Sequence, residues 1–338
     1  MLSKVEIIKS KLVADIKRGV FRIGESITSR NKLCRKYNFS RTTIDRAIKE
    51  LTDAGYLTSH QGSRTYVISD KPIDKPQRLF VISGFTGMSN GATIKDLFFP
   101  EIDFEIPFSG LPEQDVTNNL NLICQPGTAV IWISPSMESI HLMDYLAKTG
   151  IPQILVNRKY ADYDYVATDA KSSIKEGLSW LMIEAGRDIA FVSYKASTEK
   201  PYLHERIIAF YESCVELGAN LNPDSIFSRN FDDIPSEIAE VGRAIFADGK
   251  PPKGIFVMHQ ALTIPLVTVA QTYGFIPGRD YKLLAFDYTQ GLENYTGIAM
   301  LKQQMKQLYL EAAGWLKSNP TCKHEPFKKE IKTELIVF

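Results

Sequence analysis

Along the first seventy residues, apolar positions recur at steps of three and four, the period of a helix that buries one face. Val5, Ile8, Leu12 and Ile16 form one such stripe within Lys4 to Arg18, and Gly19 follows as a C-cap. Thr28-Ser29 caps a shorter helix with Leu33 and Tyr37 turned inward. Ser40 then caps a third helix whose buried face is Ile44, Ala47, Ile48 and Leu51. Past Gly55 the pattern changes. Tyr56 to Ser59 and Thr65 to Ile68 read as short strands around a His60-Gln61-Gly62-Ser63 turn. Three helices followed by a hairpin predict a winged helix-turn-helix over residues 1–68.

The outer face of the third helix carries Arg41, Thr42, Thr43, Asp45, Arg46 and Lys49. Hydroxyls and guanidinium groups in a first turn suit phosphate oxygens and base edges, because the amides and dipole there already favour anions. An ordinary amphipathic surface helix would share that pattern, so the segment alone leaves both readings open. Charge separates them. Residues 1–70 hold 14 Lys and Arg against 7 Asp and Glu, a net +7, while the remainder holds 26 against 32, a net −6. The overall +1 therefore hides a basic head on a mildly acidic body, the footprint of a protein whose one end meets phosphate.

Residues 69–78 are polar and proline-punctuated, with Asp70-Lys71-Pro72 echoed by Asp74-Lys75-Pro76, and read as a semi-stiff linker. From Leu79 onward short apolar runs alternate with amphipathic stretches. Strands are expected at Leu79–Ser83, Phe104–Pro107, Ala129–Ser134, Gln153–Asn157, Tyr165–Thr168, Ile189–Ser193, Gly254–Met258 and Lys282–Phe286. Helices are expected at Lys171–Ala185, Tyr202–Leu217, Ala261–Tyr273 and Leu301–Trp315. This alternation argues for parallel sheets covered on both faces, and about 260 residues suits two α/β lobes rather than one.

Four cysteines (Cys34, Cys124, Cys214, Cys322) are scattered without a CxxC pair, which fits a reduced, cytoplasmic chain. The N-terminus is a charged amphipathic helix without a leader-like apolar core, and no apolar run approaches a membrane span.

Residues 4 to 68 resemble a GntR-type DNA-binding head, carried by "GVFRIGESI", "SRTTIDRAIKELTDAGYL" and "HQGSRTYV" in order and spacing. The resemblance implies that Asn31, Arg41, Thr42, Thr43, Asp45 and Arg46 meet the major groove, and that His60, Gln61, Gly62 and Arg64 of the wing approach the minor groove. Asp45 stands where the family usually has an arginine. It can accept from a cytosine amino group, or it can hold Arg46 in place, the structural role we favour.

The body resembles the sensor module of LacI/GalR-type repressors. The resemblance rests on "IPQILVNR", "VATDAKSSIKEGLSWLMIEAGRDIAFVS", "ERIIAFYESCVELG", "KGIFVMHQALTIPLVTVAQTYGFIPGRDYKLLAFDY" and the closing "TELIVF". Residues 84–128 match poorly, with the family's first long helix shortened to about "ATIKDLFF". The implied architecture is a winged helix-turn-helix joined to an α/β, two-lobed, periplasmic-binding-protein-like domain with two parallel doubly wound sheets. Its N-terminal lobe is expected at about 79–160 and 290–319, and its C-terminal lobe at about 161–289 and 320–338. Crossovers are expected near Arg158 to Tyr165 and Tyr288 to Tyr295. This is the arrangement of arabinose-repressor-like proteins.

Ligands of open α/β sheets lie beyond the carboxyl ends of the strands. That rule selects Ser83, Asn157, His259 and Asp287, and the resemblance adds Arg206 and Gln303, with Tyr202 beside them. Tyr194, Tyr202 and Tyr288 offer flat apolar walls. Strand-end polar groups also serve simply as helix caps, and a lone histidine such as His259 is more often that. Relatives carry Asn-Asp where this chain has His259-Gln260, and Asp-Asp where it has Asp287-Tyr288. The expected effector is a small carbohydrate, with a non-sugar ligand as the alternative.

Enzyme chemistry finds no support. The histidines show no HExxH spacing, and GxxxxGK is absent. Gly84, Gly87 and Gly91 lack the GxGxxG spacing, and an aminotransferase-like body needs more chain. No catalytic residue, metal or cofactor is assigned. The expectation is a homodimeric, ligand-responsive repressor on near-palindromic double-stranded operator DNA, with no membrane partner. A winged-helix interaction protein without a DNA role is the rival.

Overall fold

The computed structural model describes residues 3–59, 64–69, 76, 78–83, 109–125, 127–160, 162–198, 200–318 and 326–338. His60, Gln61 and Gly62, the expected strand at 104–107, the "ATIKDLFF" segment, Gly84, Gly87, Gly91, Cys322 and most of the linker lie outside the described residues.

The head forms as its capping residues dictate. Helix α1 (Lys4–Lys17) begins with a reciprocal cap: Glu6 N donates to Ser3 Oγ at 3.2 Å and Ser3 N to Glu6 Oε2 at 2.7 Å. Helix α2 (Arg30–Tyr37) is capped by Ser29 and stops at Asn38, which adopts the left-handed conformation. Helix α3 (Arg41–Asp53) starts on Ser40, whose hydroxyl accepts from Thr43 N at 3.3 Å. The stripes of α1 and α3 interlock, with Ile8, Leu12, Leu33, Ile44, Ala47, Ile48 and Leu51 fully or almost fully buried in one core. Strands β1 (Leu57–Ser59) and β2 (Thr65–Val67) pair antiparallel, Leu57 opposite Val67. On the other edge of β2, Ile27 N donates to Thr65 O and Gly24 N to Val67 O, so the segment before α2 is stitched to the wing.

The rest of the chain builds two six-stranded sheets of the same topology. The first contains β3 (Arg78–Ser83), β4 (Ser109–Pro112), β5 (Thr128–Ile133), β6 (Gln153–Val156), β7 (Asp164–Asp169) and the later β13 (Lys328–Lys332), in the order β13-β7-β6-β5-β3-β4. The second contains β8 (Ile189–Tyr194), β9 (Ile226–Arg229), β10 (Gly254–Val257), β11 (Lys282–Phe286), β12 (Ile298–Lys302) and β14 (Glu334–Val337), in the order β14-β12-β11-β10-β8-β9. β10, β8, β11, β12 and β9 run parallel, and β14 is antiparallel to β12. The residues of β8, β10 and β11 are mostly apolar and nearly all buried, as strands covered on both faces require.

The chain forms two compact units, residues 1–166 with 309–329, and residues 167–308 with 330–338. The second crossover expected at 289/290 is thus misplaced. The chain after Tyr288 first adds β12 to the second sheet, and the helix Met305–Lys317 follows it. Leu301 and Lys302 end that strand, so the helix expected from Leu301 starts at Met305. Asp164 anchors the returning chain in the first unit, accepting from Trp315 Nε1 at 2.5 Å and from Phe327 N at 2.9 Å.

In the second unit, the helices Ala170–Ala185 and Tyr202–Leu217 pack in parallel, Lys171 pairing with Glu212 and Lys175 with Glu216. The helices Ile234–Phe246 and Gln260–Thr272 approach so closely that a Cβ at Gly242 would lie 2.1 Å from Val269 Cγ1. Only glycine fits there.

Candidate nucleic-acid interface and effector site

The seam between wing and helices leaves a recess of about 730 Å³ on the head. Ser26 to Lys32, Arg41, Arg64 and Thr65 are among its lining residues. Of the expected DNA contacts, Asn31, Arg41 and Arg64 are brought together here. Arg30 and Lys32, not anticipated, join them and add two cations. Thr28 and Ser29 contribute hydroxyls, and Thr65 Oγ1 is buried without a hydrogen-bond partner among the described residues. A concavity lined by cations and hydroxyl donors suits a phosphate oxygen.

Asp45 organises this face. Its Oδ1 accepts from Arg30 Nε at 2.9 Å, and its Oδ2 lies 3.8 Å from Arg41 Nε. The expectation that Asp45 holds Arg46 is corrected: Arg46 Nε instead pairs with Glu50 Oε1 at 3.1 Å, one turn further on. The i to i+1 neighbours point apart on a helix, whereas i and i+4 meet. Thr42 and Thr43 belong to the cap network, their Oγ1 atoms 3.0 and 2.8 Å from Ser40 Oγ.

The second unit gathers five of the seven expected ligand contacts at the carboxyl ends of its strands. Arg206 Nη1 pairs with Asp287 Oδ2 at 3.3 Å, both side chains largely removed from water. The guanidinium lies 3.7 Å above the Phe286 ring and 4.8 Å from that of Tyr202. Asp287 Oδ1 accepts from Gln303 Nε2, and Gln303 Oε1 accepts from Thr168 at 2.8 Å. A chain of polar groups thus runs from Thr168 to Arg206. Asp287 holds φ at 76°, a left-handed value carried by a non-glycine residue at a strand end, where such strain accompanies function.

His259 closes the cluster from β10. Its Nδ1 accepts from Ala261 N at 3.2 Å, capping the helix Gln260–Thr272, while its ring packs edge-on against Tyr194 at 5.1 Å and lies 6.3 Å from Tyr202. Burial drives its pKa down to about 4, against the opposing pull of Asp287. Capping accounts for one ring nitrogen only. β8 and β10 flank the point where the strand order reverses, so Tyr194 and His259 stand where doubly wound sheets place ligands.

Ser83 and Asn157 end β3 and β6 of the first sheet, in the other unit. Asn157, at φ 61°, and Ser134 after β5, at φ 48°, share the left-handed geometry of Asp287. Tyr288 is exposed, with Lys302 Nζ 5.6 Å from its ring centre. Sequence reasoning missed Thr168, Phe286, Lys200 and Phe231. Lys200 Nζ sits 3.9 Å over the Tyr194 ring, and Phe231 meets the same ring edge-on at 5.4 Å. Lys200 and Phe231 lie in loops without a pattern that would expose them. Among the described residues no group of His, Cys, Asp and Glu could hold a metal ion, and no helix is long and apolar enough to cross a membrane.

Residues 4–67 match the family described as bacterial regulatory proteins, gntR family. The chain is 40% identical over 91 residues to the "Probable fructoselysine utilization operon transcriptional repressor" of Escherichia coli (strain K12), covering 26% of this chain and 36% of that relative. It therefore spans about a third of the length of the first curated relatives it matches. A longer likeness joins it to the arabinose metabolism transcriptional repressor of Halalkalibacterium halodurans, 23% identical over 315 residues, 85% of this chain and 81% of that one. The fold is that of a LacI family transcription regulator from Clostridium acetobutylicum, with a TM-score of 0.59 at 12% identity over 78% of this chain and 99% of that one.

Proposed function

From a gntR-family head at residues 4–67 and a body with the fold of a LacI-family regulator, we propose a ligand-responsive transcriptional repressor that reads operator DNA. The observation that carries this is the cationic recess of the head, where Arg30, Asn31, Lys32, Arg41 and Arg64 converge beside the N-terminus of α3. Phosphate contacts from the recess fix the register of α3 on the duplex, and the first turn of that helix, Arg41 to Thr43, meets base edges. The wing, from His60 to Arg64, tracks the neighbouring minor groove. Asp45 acts through Arg30 and Arg41 rather than on a base. Two copies of the chain occupy a near-palindromic site, so that engagement of one head raises the effective concentration of the other.

The body senses a small hydroxylated ligand. Arg206, Asp287, Gln303, His259 and Tyr202 bind it, with Tyr194 as a wall. The name of the H. halodurans relative, an arabinose metabolism repressor, supports a carbohydrate. Ligand in this cluster changes operator affinity by an amount typical of coupled sites, about 1–3 kcal/mol or roughly 5- to 150-fold.

A gel-shift of the full chain with DNA from upstream of its own gene tests the proposal. The expected result is a sequence-dependent shift that weakens as salt rises. Failure to bind any duplex, even in dilute buffer, overturns it and leaves the winged helix as a protein-interaction module.

A further inference from the structure

We propose that the ligand recognised by the second unit carries an oxyanion, a phosphate or a carboxylate, on its hydroxylated skeleton. This rests on the reading of the Arg206–Asp287 cluster as the effector site and names the chemical class that the cluster selects.

Donors and acceptors in the cluster are unevenly matched. A neutral sugar presents hydroxyls, each of which must donate as well as accept, so a sugar site needs free acceptors. Each side-chain acceptor of the cluster already takes one bond, which leaves at most its second lone pair open. Asp287 gives one oxygen to Arg206 and the other to Gln303. The Gln303 carbonyl accepts from Thr168. Glu237, a carboxylate whose charge acts on Tyr194, accepts from Asp233 N at 3.1 Å. Donors remain in surplus. His259 Nδ1 accepts from Ala261 N, so the ring proton resides on Nε2, and the ring offers a donor to the site. Arg206 retains N–H groups beyond the one facing Asp287. Lys200 brings an ammonium group over Tyr194, and among the described residues no carboxylate pairs with it.

Charge points the same way. Of the charges that act on His259, Arg206 is balanced by Asp287 and Lys200 leaves one positive in excess, while Glu237 acts on Tyr194. The helix Gln260–Thr272 starts at His259, so its partial positive end adds to that field. An oxyanion supplies acceptors alone, which is what a donor-rich, cationic cluster lacks.

The test titrates the full chain, isotope-labelled at histidine, with sodium phosphate, glucose 6-phosphate, gluconate, glucose and arabinose at constant ionic strength. The His259 imidazole signals, identified by their loss in His259→Gln, report occupancy. Saturable shifts with the anionic probes, and none with glucose or arabinose at equal concentration, are expected. Lys200→Gln should weaken the anion response at least tenfold, and Lys250→Gln, an exposed control, should not. Response to glucose 6-phosphate without gluconate assigns a phosphate, and the reverse assigns a carboxylate. A response to neutral sugars alone overturns the oxyanion and keeps the effector site. If no probe moves His259, both fall. Indifference to Lys200→Gln also refutes the proposal.

Discussion

The head and the second unit each set an arginine beside an aspartate, in opposite surroundings. Arg41 and Asp45 have side chains 67% and 45% exposed and stand 3.8 Å apart, whereas Arg206 and Asp287 are 6% and 16% exposed and bonded at 3.3 Å. An exposed pair is screened by water and salt and contributes about 0–1 kcal/mol, so its guanidinium can leave its partner for a phosphate at little cost. A buried pair has already lost its hydration and is held by fixed neighbours, here the Phe286 ring and Gln303. The first arrangement suits a long, charged and repetitive target. The second suits a small molecule that must match fixed atoms.

The largest effect should come from breaking the buried pair. Asp287→Ala leaves the Arg206 guanidinium against Phe286 without a counter-charge, and removal of one partner of such a pair costs about 3–5 kcal/mol. Urea unfolding of the full chain would measure it. The double variant Arg206→Met with Asp287→Leu should recover most of that stability, because the unpaired charge is gone, yet remain blind to effector. A single variant as stable as the parent would show that the pair is solvated after all.

Arg41→Ala should fall next in size and leave stability alone. Losing one groove contact costs about 1–3 kcal/mol of operator affinity and lowers the salt slope by about 0.9. Binding isotherms at several salt concentrations would show both. An unchanged slope would mean that Arg41 touches no phosphate.

Acid should separate the two regions. The pKa of His259 is depressed to about 4, chiefly by burial, so folding favours its neutral form. Stability from that preference is complete above the unfolded value near 6.5 and is lost as pH falls from there toward 4. In the head, burial would raise the Asp15 carboxyl, but bonds from Lys36, Tyr37 and Arg18 outweigh it and leave the pKa lowered. Its contribution is present above the unfolded value of 3.8 and disappears only as pH falls below it. The body should therefore begin to weaken near pH 6.5, before the head does, with His259→Gln abolishing the earlier loss. Simultaneous weakening in thermal melts followed by region-specific probes would contradict this.

Local chemistry made much of this legible beforehand. Ser29 and Ser40 sit at helix starts because each hydroxyl accepts a free amide, and the stripes of α1 and α3 needed only each other to become a core. The buried strands announced themselves as apolar runs, and Asp287 and His259 followed from the rule about strand ends, while Arg206 came from the family resemblance. What stayed hidden depends on distant partners. β9 and β12 gain their identity from neighbouring strands, β13 is a largely polar edge strand, and β14 is a four-residue, half-exposed edge strand that alternation did not reveal. The helices Ile140–Thr149 and Ile234–Phe246 were likewise missed, the latter opening with a proline that reads as a break. Lys200 and Arg30 became visible only once Tyr194 and Asp45 had been placed beside them.

Asp45→Asn is the smallest expected effect and the sharpest probe of the head. Simple electrostatics predicts tighter DNA binding, because a negative charge facing phosphate is removed. The geometry predicts the reverse for the operator. Asp45 holds Arg30 at 2.9 Å and draws in Arg41, and both line the recess. Freed, the two guanidiniums keep their charge but lose their shared anchor, so attraction to any duplex persists while alignment on one sequence decays. An exposed pair is worth about 0.2–1 kcal/mol, so operator affinity should drop by no more than about fivefold. Affinity for an unrelated duplex should hold or rise, and the measured quantity is the ratio of the two. A ratio that stays constant would make Asp45 an ordinary surface acid, and a loss confined to one base pair would return it to direct contact with cytosine.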